Sequence, residues 1–276
     1  MKIKNQIFIL RPKLRNLLSI NTVKAYPNWL HYLSTVDSTN IYATALLEDG
    51  LAQHGDVVWA LDQTAGRGQR GKKWETKPGD NIMMSLIVHP NKALAEFPAH
   101  LNIIVAATLV RYFNTLYPYW KVSVKWPNDI YINDKKAVGV LVENVFRGMN
   151  WMHAIIGIGI NVNQSGFPAE LPNATSLKVA SGQSFDLFEL INDIRTGMLN
   201  ELIYYSPARF LNTLQTYNEY LYLRGERILF THLKDQKDFY ALVKAVSADG
   251  MLVLETADGQ ESTYAFGTLQ WHLPAQ

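Results

Sequence analysis

Residues 62–74, DQTAGRGQRGKKW, combine a flexible backbone with concentrated positive charge. The glycines are Gly66, Gly68 and Gly71, and the cations are Arg67, Arg70, Lys72 and Lys73. Glycine lets backbone N–H groups turn toward a ligand, and a guanidinium matches the oxygens of a carboxylate or phosphate. The segment therefore predicts an anion-binding loop, and the loop alone leaves an ordinary solvated turn open as the alternative.

Two nucleotide-binding motifs come close to this loop without matching it. Residues 66–71, GRGQRG, have the spacing of a dinucleotide fingerprint, which must open a helix after a strand. No apolar helical period follows residue 71. A P-loop requires Ser or Thr directly after its lysine, whereas Lys73 follows Lys72 here. Both motifs are therefore excluded, because the residues that each requires after the glycines are missing.

Three further segments place polar or small residues beside apolar strands. KWPNDIYI, residues 125–132, breaks a strand at a Trp–Pro, which either aims polar side chains into a cleft or forms an ordinary turn. Lys136 begins an otherwise apolar strand. Its side chain either protects the strand edge or places a cation beside a buried anion. GIGIN, residues 157–161, has two glycines on one strand face, for close approach of a ligand or for tight sheet packing.

Apolar periodicity predicts the elements that must position these segments. The first elements in chain order are a strand at 29–36, a helix at 38–50, a strand at 56–62, a strand at 82–88 and a helix from Phe97 to Leu116. Asp37 or Ser38 is expected to cap the first helix. The strand at 82–88, IMMSLIV, is apolar enough to be buried on both faces.

The second half of the chain changes from long elements to hairpins. It is expected to contain a strand at 122–126, a hairpin at 129–146, a strand at 151–162, two helices within 186–222 and several short strands after Gly225. Helices on a mixed sheet of hairpin-connected strands make the fold class α+β. We expect an N-terminal extension at 1–28, a large domain at 29–223 and a small β-barrel domain at 224–276.

Composition narrows the possible functions. The chain has 276 residues and a net charge of +2, so a protein that coats DNA is disfavoured. It contains no cysteine, which excludes disulfides, thiol catalysis and Cys-zinc sites. No apolar run reaches the roughly 20 residues of a membrane span, and the N-terminus lacks a signal-peptide cleavage site. The expected location is the cytoplasm, without membrane contact.

Five segments occur together in the order and spacing typical of biotin–protein ligases. They are DSTN at 37–40, QTAGRGQRGKKW at 63–74, KWPNDIYI at 125–132, KKAVGVLVE at 135–143 and GIGINVN at 157–163. The chain resembles this family from Leu33 to Trp271, and five motifs in order are specific where any one is weak. The resemblance implies a catalytic core similar to class II aminoacyl-tRNA synthetases and an SH3-like C-terminal domain.

The resemblance also implies a two-step reaction. The carboxylate of biotin attacks the α-phosphate of ATP, which Mg²⁺ accompanies, and gives biotinyl-5′-AMP and pyrophosphate. A lysine of a biotin carboxyl carrier domain then attacks this mixed anhydride. Such chemistry needs positioned charges and exclusion of water rather than a protein nucleophile, so the lack of cysteine is no obstacle.

Matching positions receive roles from the same resemblance. Lys136 and Arg67 would contact the carboxylate and phosphate oxygens, and Asp129 would position the acceptor lysine and help it lose a proton. The expected biotin contacts are Ser38, Thr39, Asn40, Gln63, Arg67, Gly68, Gln69, Lys136, Gly139 and Gly157. The expected ATP contacts are Arg67, Arg70, Trp74, Lys125, Asn128, Lys136 and Asn161.

Asn40 and the two glycines of this set have more specific expected roles. Asn40 would serve either biotin or the helix start. Gly139 and Gly157 would let the bicyclic ring of biotin lie against the backbone, and apolar strands such as IMMSLIV would wall its valeryl chain.

Two departures from the family pattern change the expectation. Gln69 stands where the family often has an arginine that helps retain the adenylate, so retention of biotinyl-AMP is the property most affected. Only about 30 residues precede the first predicted strand. Because the winged helix of the bifunctional members is longer, we expect no DNA binding and no repressor function.

Other functions remain open at this point. A lipoate–protein ligase shares the fold and the adenylation chemistry, although GRG followed by KWPND favours biotin. A non-catalytic biotin sensor is the alternative outside enzymes, and Arg67, Lys136 and Asp129 argue against it. A fragment of a tRNA synthetase is a third alternative, and it is disfavoured because this sequence shows no broad basic face. Because some family members dimerise, both a monomer and a homodimer are compatible with the resemblance.

Overall fold

The computed structural model of the protein describes residues 26–66, 68, 74 and 77–273. One seven-stranded sheet contains β1 (Leu30–Val36), β2 (Val57–Gln63), β3 (Ile82–Val88), β4 (Val122–Lys125), β5 (Asp129–Ile132), β6 (Lys135–Arg147) and β7 (Asn150–Ile160). Their order across the sheet is β1-β2-β3-β7-β6-β5-β4. The helices are α1 (Thr39–Glu48), α2 (Lys92–Ala95), α3 (His100–Leu116), α4 (Leu177–Ser181), α5 (Leu187–Ile203) and α6 (Pro207–Glu219).

Strand β3 shows why the sheet is covered on both faces. All seven of its residues are buried, as its apolar sequence predicts. Met84 and Leu86 belong to the main core, which also includes residues of α3, α5 and α6. Ile87 belongs instead to a smaller cluster with Ala43 of α1. Helix α1 therefore packs on the face opposite to the other long helices, and the α+β prediction is confirmed.

Connectivity in the sheet departs from simple hairpins at one end. Strands β1 and β2 are parallel and are joined through α1. Strand β3 pairs with β7, which is far away in the chain, whereas β4 to β7 form consecutive antiparallel pairs. This arrangement brings the GIGIN and KKAVGVLVE segments side by side, next to the first turn of α1.

Three details of the helix predictions are wrong. Helix α3 was expected to begin at Phe97 but begins at His100. Phe97 precedes Pro98 outside the helix, and its side chain is 39% exposed. The short helices α2 and α4 were not predicted. Ser38 occupies the N-cap position of α1, but its side chain makes no capping hydrogen bond. The Thr39 N–H of this turn instead donates to Gln63 Oε1 at 2.8 Å.

A second sheet follows α6 in the chain. It contains β8 (Arg227–His232), β9 (Lys237–Val246), β10 (Leu252–Glu255), β11 (Glu261–Tyr264) and β12 (Leu269–His272), all antiparallel, in the order β11-β10-β9-β8-β12. The last strand was not predicted, and the domain boundary near Arg224 stays a prediction. Trp126 Nε1 donates to the Gly250 carbonyl at 2.9 Å and so links the two sheets.

A helix that crosses a bilayer must be long and apolar along its whole length. In the ranges that the structure describes, no helix meets both conditions.

A buried histidine at the start of α3 predicts how stability depends on pH. The His100 ring stacks between Phe97 and Phe210, with centroid distances of 4.9 and 3.4 Å, and its Nδ1 lies 2.8 Å from Tyr205 Oη. Burial lowers the pKa of His100, an effect that Asp249 only partly offsets. The unfolded chain therefore binds a proton more readily, and the free energy of unfolding should decrease as the pH falls below about 6.5.

Denaturant unfolding between pH 5 and 8, the range in which histidine titrates, measures this dependence. His100→Gln should weaken the decrease on the acid side, since it removes a group with unequal proton affinity. His232→Gln, at a half-exposed ring on β8, is the matched control. An unchanged acid-side slope in His100→Gln would show that this ring does not contribute.

Candidate active site

A cavity of about 730 Å³ lies between the two sheets and gathers most of the predicted site residues. The predicted residues that line it are Ser38, Thr39, Asn40, Gln63, Gly68, Trp74, Lys125, Asp129, Lys136, Gly139, Gly157 and Asn161. They come from β1–α1, β2, the 62–74 loop and strands β4 to β7. The sheet topology therefore unites segments that are more than 100 residues apart in the chain.

Asn128 is the exception among the described residues. It is buried, and its Nδ2 donates to the Val140 carbonyl at 2.9 Å. It lines a second, smaller cavity of about 360 Å³. Its amide supports β6, and its expected contact with ATP stays a prediction. Arg67, Gln69 and Arg70 lie outside the described residues.

The strongest electrostatic feature of the cavity is an ion pair. Lys136 Nζ lies 2.7 Å from Asp129 Oδ2, and both side chains are partly exposed to the cavity. Lys136 Nζ also lies 5.6 Å from the centre of the Trp74 ring. Of the two interpretations of Lys136, the structure supports the cation beside an anion. An incoming anion can replace Asp129 as the partner of this ammonium.

The polar end of the cavity is a continuous set of hydrogen bonds. Thr39 contacts Gln63 Oε1 through its N–H at 2.8 Å and its hydroxyl at 3.1 Å. Ser85 Oγ lies 2.8 Å from Thr39 Oγ1 and 2.5 Å from Asn40 Oδ1. Asn40 Nδ2 donates to Glu143 Oε2 at 2.6 Å. Side chains from α1, β2, β3 and β6 thus fix one another.

Asn40 accordingly does not serve the helix start. Its carboxamide is buried against Gly157, where an added Cβ would lie 2.5 Å from Asn40 Oδ1. Gly157 lines the cavity, and its expected contact with biotin stays a prediction. In this structure Gly157 makes room for the Asn40 side chain.

Trp74 covers the other glycines of the cavity floor. Gly139 and Gly159 are register partners on β6 and β7. A Cβ would lie 2.8 Å from the indole at Gly139 and 2.5 Å from it at Gly159. Trp74 Nε1 is buried and has no hydrogen-bond partner among the described residues. The two glycines therefore let an aromatic ring pack closely on the sheet.

For the adenylation step that the resemblance implies, Gly159→Ala is expected to lower the rate about tenfold, because the added Cβ would displace the Trp74 indole at a cost of about 1–3 kcal/mol. The displaced indole would no longer lie against Lys136. Initial rates of biotin-dependent pyrophosphate exchange measure the effect. Gly166→Ala is the matched control, since an added Cβ there meets nothing within 4 Å. A normal rate in Gly159→Ala would mean that Trp74 does not occupy this position during catalysis.

The C-terminal sheet supplies one wall of the cavity. Lys125 Nζ lies 5.9 Å from the Tyr131 ring and 5.8 Å from the Trp271 ring, so it bridges the two sheets. Burial, followed by the charge of Asp129, raises the pKa of Tyr131, which keeps its hydroxyl neutral. Leu233, Phe266 and Gln270 also line the cavity. Sequence reasoning missed this wall, because only tertiary packing brings the second sheet over the first.

Ser85 and Glu143 were also missed as site residues, whereas Gly159 was expected only as one of two glycines that allow a close approach. Ser85 is the single polar residue in the IMMSLIV run, which is a signal that the sequence contains. Gly159 follows Gly157 at the spacing that places both on one strand face. Glu143 ends the apolar run AVGVLVE, but an exposed carboxylate on a strand has no distinctive pattern.

The comparisons with known proteins agree with this geometry. The family model described as the biotin/lipoate A/B protein ligase family matches residues 32–161. The bifunctional ligase/repressor BirA of Bacillus spizizenii is 34% identical over 239 residues, which are 86% of this chain and 72% of the relative. The biotin–[acetyl-CoA-carboxylase] ligase of Paracoccus denitrificans is 33% identical over 168 residues, 58% of this chain and 67% of that protein.

Solved structures show the same relationship. The biotin protein ligase from Aquifex aeolicus in complex with biotin and ATP superposes with a TM-score of 0.74 at 25% identity. The alignment covers 88% of this chain and 98% of that one. Fold and cavity together thus define a ligase of the biotin and lipoate type. The chain belongs to the biotin–protein ligases of the biotin/lipoate A/B protein ligase family.

Proposed function

We propose that the protein attaches biotin to a specific lysine of a biotin carboxyl carrier domain in two ATP-dependent steps. In the first step, a carboxylate oxygen of biotin bonds to the α-phosphorus of ATP, and pyrophosphate leaves. In the second step, the lysine amine bonds to the acyl carbon, AMP leaves and the amine loses a proton. The observation that carries the proposal is the Lys136–Asp129 pair inside a cavity with one polar end.

The polar end suits the ureido group of biotin. Thr39 and Gln63 offer hydrogen-bonding groups at the cavity surface, with Ser38 beside them. Apolar side chains farther along the cavity, including Met84, Val140 and Ile158, suit the valeryl chain. The dithiolane of lipoate has no N–H or carbonyl group for this polar end. The hydrogen-bonding side chains therefore favour biotin over lipoate.

The first step requires two anions to meet. Lys136 is the described cation between the polar end and the nucleotide side, and it would neutralise the biotin carboxylate and the α-phosphate together. The nucleotide would then lie toward Trp74, Lys125 and the C-terminal wall. Arg67 and Arg70 remain proposed contacts of the phosphates, and Asn161 remains a proposed contact on the ATP side. The Asn161 Nδ2 itself donates to the Thr175 carbonyl at 3.0 Å.

The second step requires a neutral amine. Once the adenylate occupies Lys136, Asp129 no longer has its full interaction with this ammonium. Its carboxylate can then accept the proton that the acceptor lysine must lose. Asp129 would thus act as the base of the transfer step. Such a role explains why an acid stands beside a lysine whose own task is to bind anions.

Magnesium is expected to arrive with ATP. The described residues contain no group of three or more His, Cys, Asp or Glu side chains that could hold a metal ion. The cavity carboxylate Asp129 is engaged by Lys136. Phosphate oxygens and water would therefore supply most ligands of the ion, as is usual for Mg²⁺. Its contribution is neutralisation of phosphate charge.

The domain arrangement and the partner belong to the same proposal. We place an N-terminal extension at 1–28, the ligase domain at 29–223 and the small C-terminal domain at 224–276. The partner is a carrier domain of a biotin-dependent carboxylase. Homodimer formation and a cytoplasmic location stay predictions.

A labelling experiment tests the function. The purified protein, biotin, MgATP and a carrier domain should add one biotin to one carrier lysine, which intact-mass and peptide mass spectrometry detect. Omission of ATP is the control for non-enzymatic labelling, and lipoate replaces biotin in a parallel reaction. Preferred transfer of lipoate would identify a lipoate ligase. Normal biotin binding without any transfer would identify a biotin sensor.

A further inference from the structure

Glu143 lies outside the residues to which the reaction assigns a role, yet it begins the hydrogen-bond chain of the polar pocket. It is an exposed residue of β6, on the sheet face that carries α1. Its Oε2 accepts from Asn40 Nδ2 at 2.6 Å. Asn40 is buried in the first turn of α1. One exposed carboxylate thus reaches directly into the buried network.

The chemistry of a carboxylate fixes the orientation of Asn40. An ionised carboxylate only accepts hydrogen bonds, so the amide group of Asn40 that faces Glu143 must be the NH₂. Asn40 Oδ1 then faces Ser85, 2.5 Å away. The reversed carboxamide would place two acceptor oxygens against each other.

This orientation passes along the chain to Thr39. Because Asn40 Oδ1 only accepts, the single proton of the Ser85 hydroxyl must point to it. The contact of 2.8 Å between Ser85 Oγ and Thr39 Oγ1 then requires Thr39 to donate its single hydroxyl proton to Ser85. The 3.1 Å contact of the Thr39 hydroxyl with Gln63 Oε1 therefore receives no proton in this orientation. Gln63 Oε1 accepts the Thr39 N–H at 2.8 Å. The cavity therefore meets a lone pair of Thr39 Oγ1 and the amide N–H groups of Gln63.

We propose that Glu143 is a positioning residue that sets the direction of this hydrogen-bond chain. The oriented Thr39 and Gln63 side chains then select a ligand that has adjacent N–H and carbonyl groups. The ureido group of biotin has both groups, and to this extent the inference rests on the proposed function. Without the carboxylate, the Asn40 carboxamide can turn over. Ser85 would then donate to Thr39, and Thr39 would donate to Gln63 Oε1, 3.1 Å away. One of the lone pairs that Thr39 Oγ1 offers to a ligand N–H would then be occupied by the Ser85 proton.

Exchanging the acid and the amide tests the direction itself. Asn40→Asp brings two carboxylates together and should raise the Kd for biotin on the order of tenfold or more. Adding Glu143→Gln should restore most of the affinity, because the new amide donates to the carboxylate introduced at position 40 while Ser85 keeps its acceptor. Glu143→Ala should weaken biotin binding about tenfold, whereas Glu143→Gln, whose carbonyl can replace the carboxylate, should retain most of it.

Two readouts separate positioning from a general loss of structure. Calorimetry gives the Kd for biotin, and pyrophosphate exchange gives the KM for biotin and for ATP. The inference expects changes in the biotin values at an unaltered KM for ATP. Glu48→Gln, an exposed carboxylate on the same helix as Asn40, is the matched control.

Two results would overturn the inference. One is biotin affinity in Glu143→Ala equal to that of the wild-type protein. The other is an exchanged pair that binds biotin no better than Asn40→Asp alone. Because binding is measured without a carrier, wild-type protein that binds biotin but transfers none refutes the ligase function separately.

Discussion

Lys136→Ala is expected to slow formation of the adenylate by on the order of 100-fold or more, as loss of one preorganised charge at a reacting oxyanion does. The side chain lies in the cavity with its ammonium 2.7 Å from Asp129, and the carboxylate and α-phosphate of the substrates would meet there. Alanine leaves both anions without this counterion. Biotin-dependent exchange of pyrophosphate into ATP measures the step without any carrier protein.

A neighbouring lysine provides the control for this prediction. Lys135 is exposed and precedes Lys136 on β6, so Lys135→Ala removes the same charge outside the cavity. Its exchange rate should equal that of the wild-type protein. Lys136→Arg should fall between the two, because the longer planar guanidinium does not occupy the same point. A near-normal rate in Lys136→Ala would remove this residue from its assigned role.

Asp129→Asn is expected to affect the other half of the reaction. Asparagine keeps the shape but cannot take a proton from the acceptor lysine, and a missing general base usually costs about 10²–10⁴ in rate. Transfer from preformed biotinyl-AMP to the carrier should therefore slow by on the order of 100-fold. Adenylate formation should persist, since Lys136 keeps its charge. Single-turnover mixing with the carrier domain measures transfer alone.

The pH dependence of transfer makes the test sharper. A lysine has an ordinary pKa of about 10.4, so the neutral fraction of the acceptor rises with pH. Transfer by Asp129→Asn should recover as the pH is raised toward this value, because the amine then needs no base. Asp134→Asn is the matched control, on the adjacent turn where Asp134 pairs with Lys121 at 2.9 Å. Slow transfer that does not recover at high pH would indicate that Asp129 acts on binding geometry instead.

Several elements could be predicted from local sequence because burial imposes a simple pattern on them. Strand β3 agrees with its prediction residue for residue, since both of its faces are covered and every position must be apolar or paired. The start of α3 and the existence of α2 and α4 escaped prediction. Short helices have few periods to recognise, and Pro98 separates Phe97 from a helix whose apolar spacing extends back to it.

The site residues divide in a similar way. Lys136, Asp129, Thr39 and Gln63 belong to short motifs, and the structure brings them into one cavity. Asn128 belongs to such a motif as well, yet its amide supports the Val140 carbonyl outside this cavity. A motif indicates that a segment matters, but the direction of each side chain depends on the strand twist and on the neighbours across the sheet.

Sequence alone established the family, the class of reaction and the residue types that can neutralise two anions. These properties depend on residue identity and spacing along the chain, which motifs preserve. Tertiary structure decided how the groups act on one another. Strands β3, β6 and β7 become neighbours only in the folded sheet, and that pairing places Ser85 and Glu143 around Asn40. Hydrogen bonds require contact within about 3 Å, and residues 103 positions apart reach that distance only through the fold.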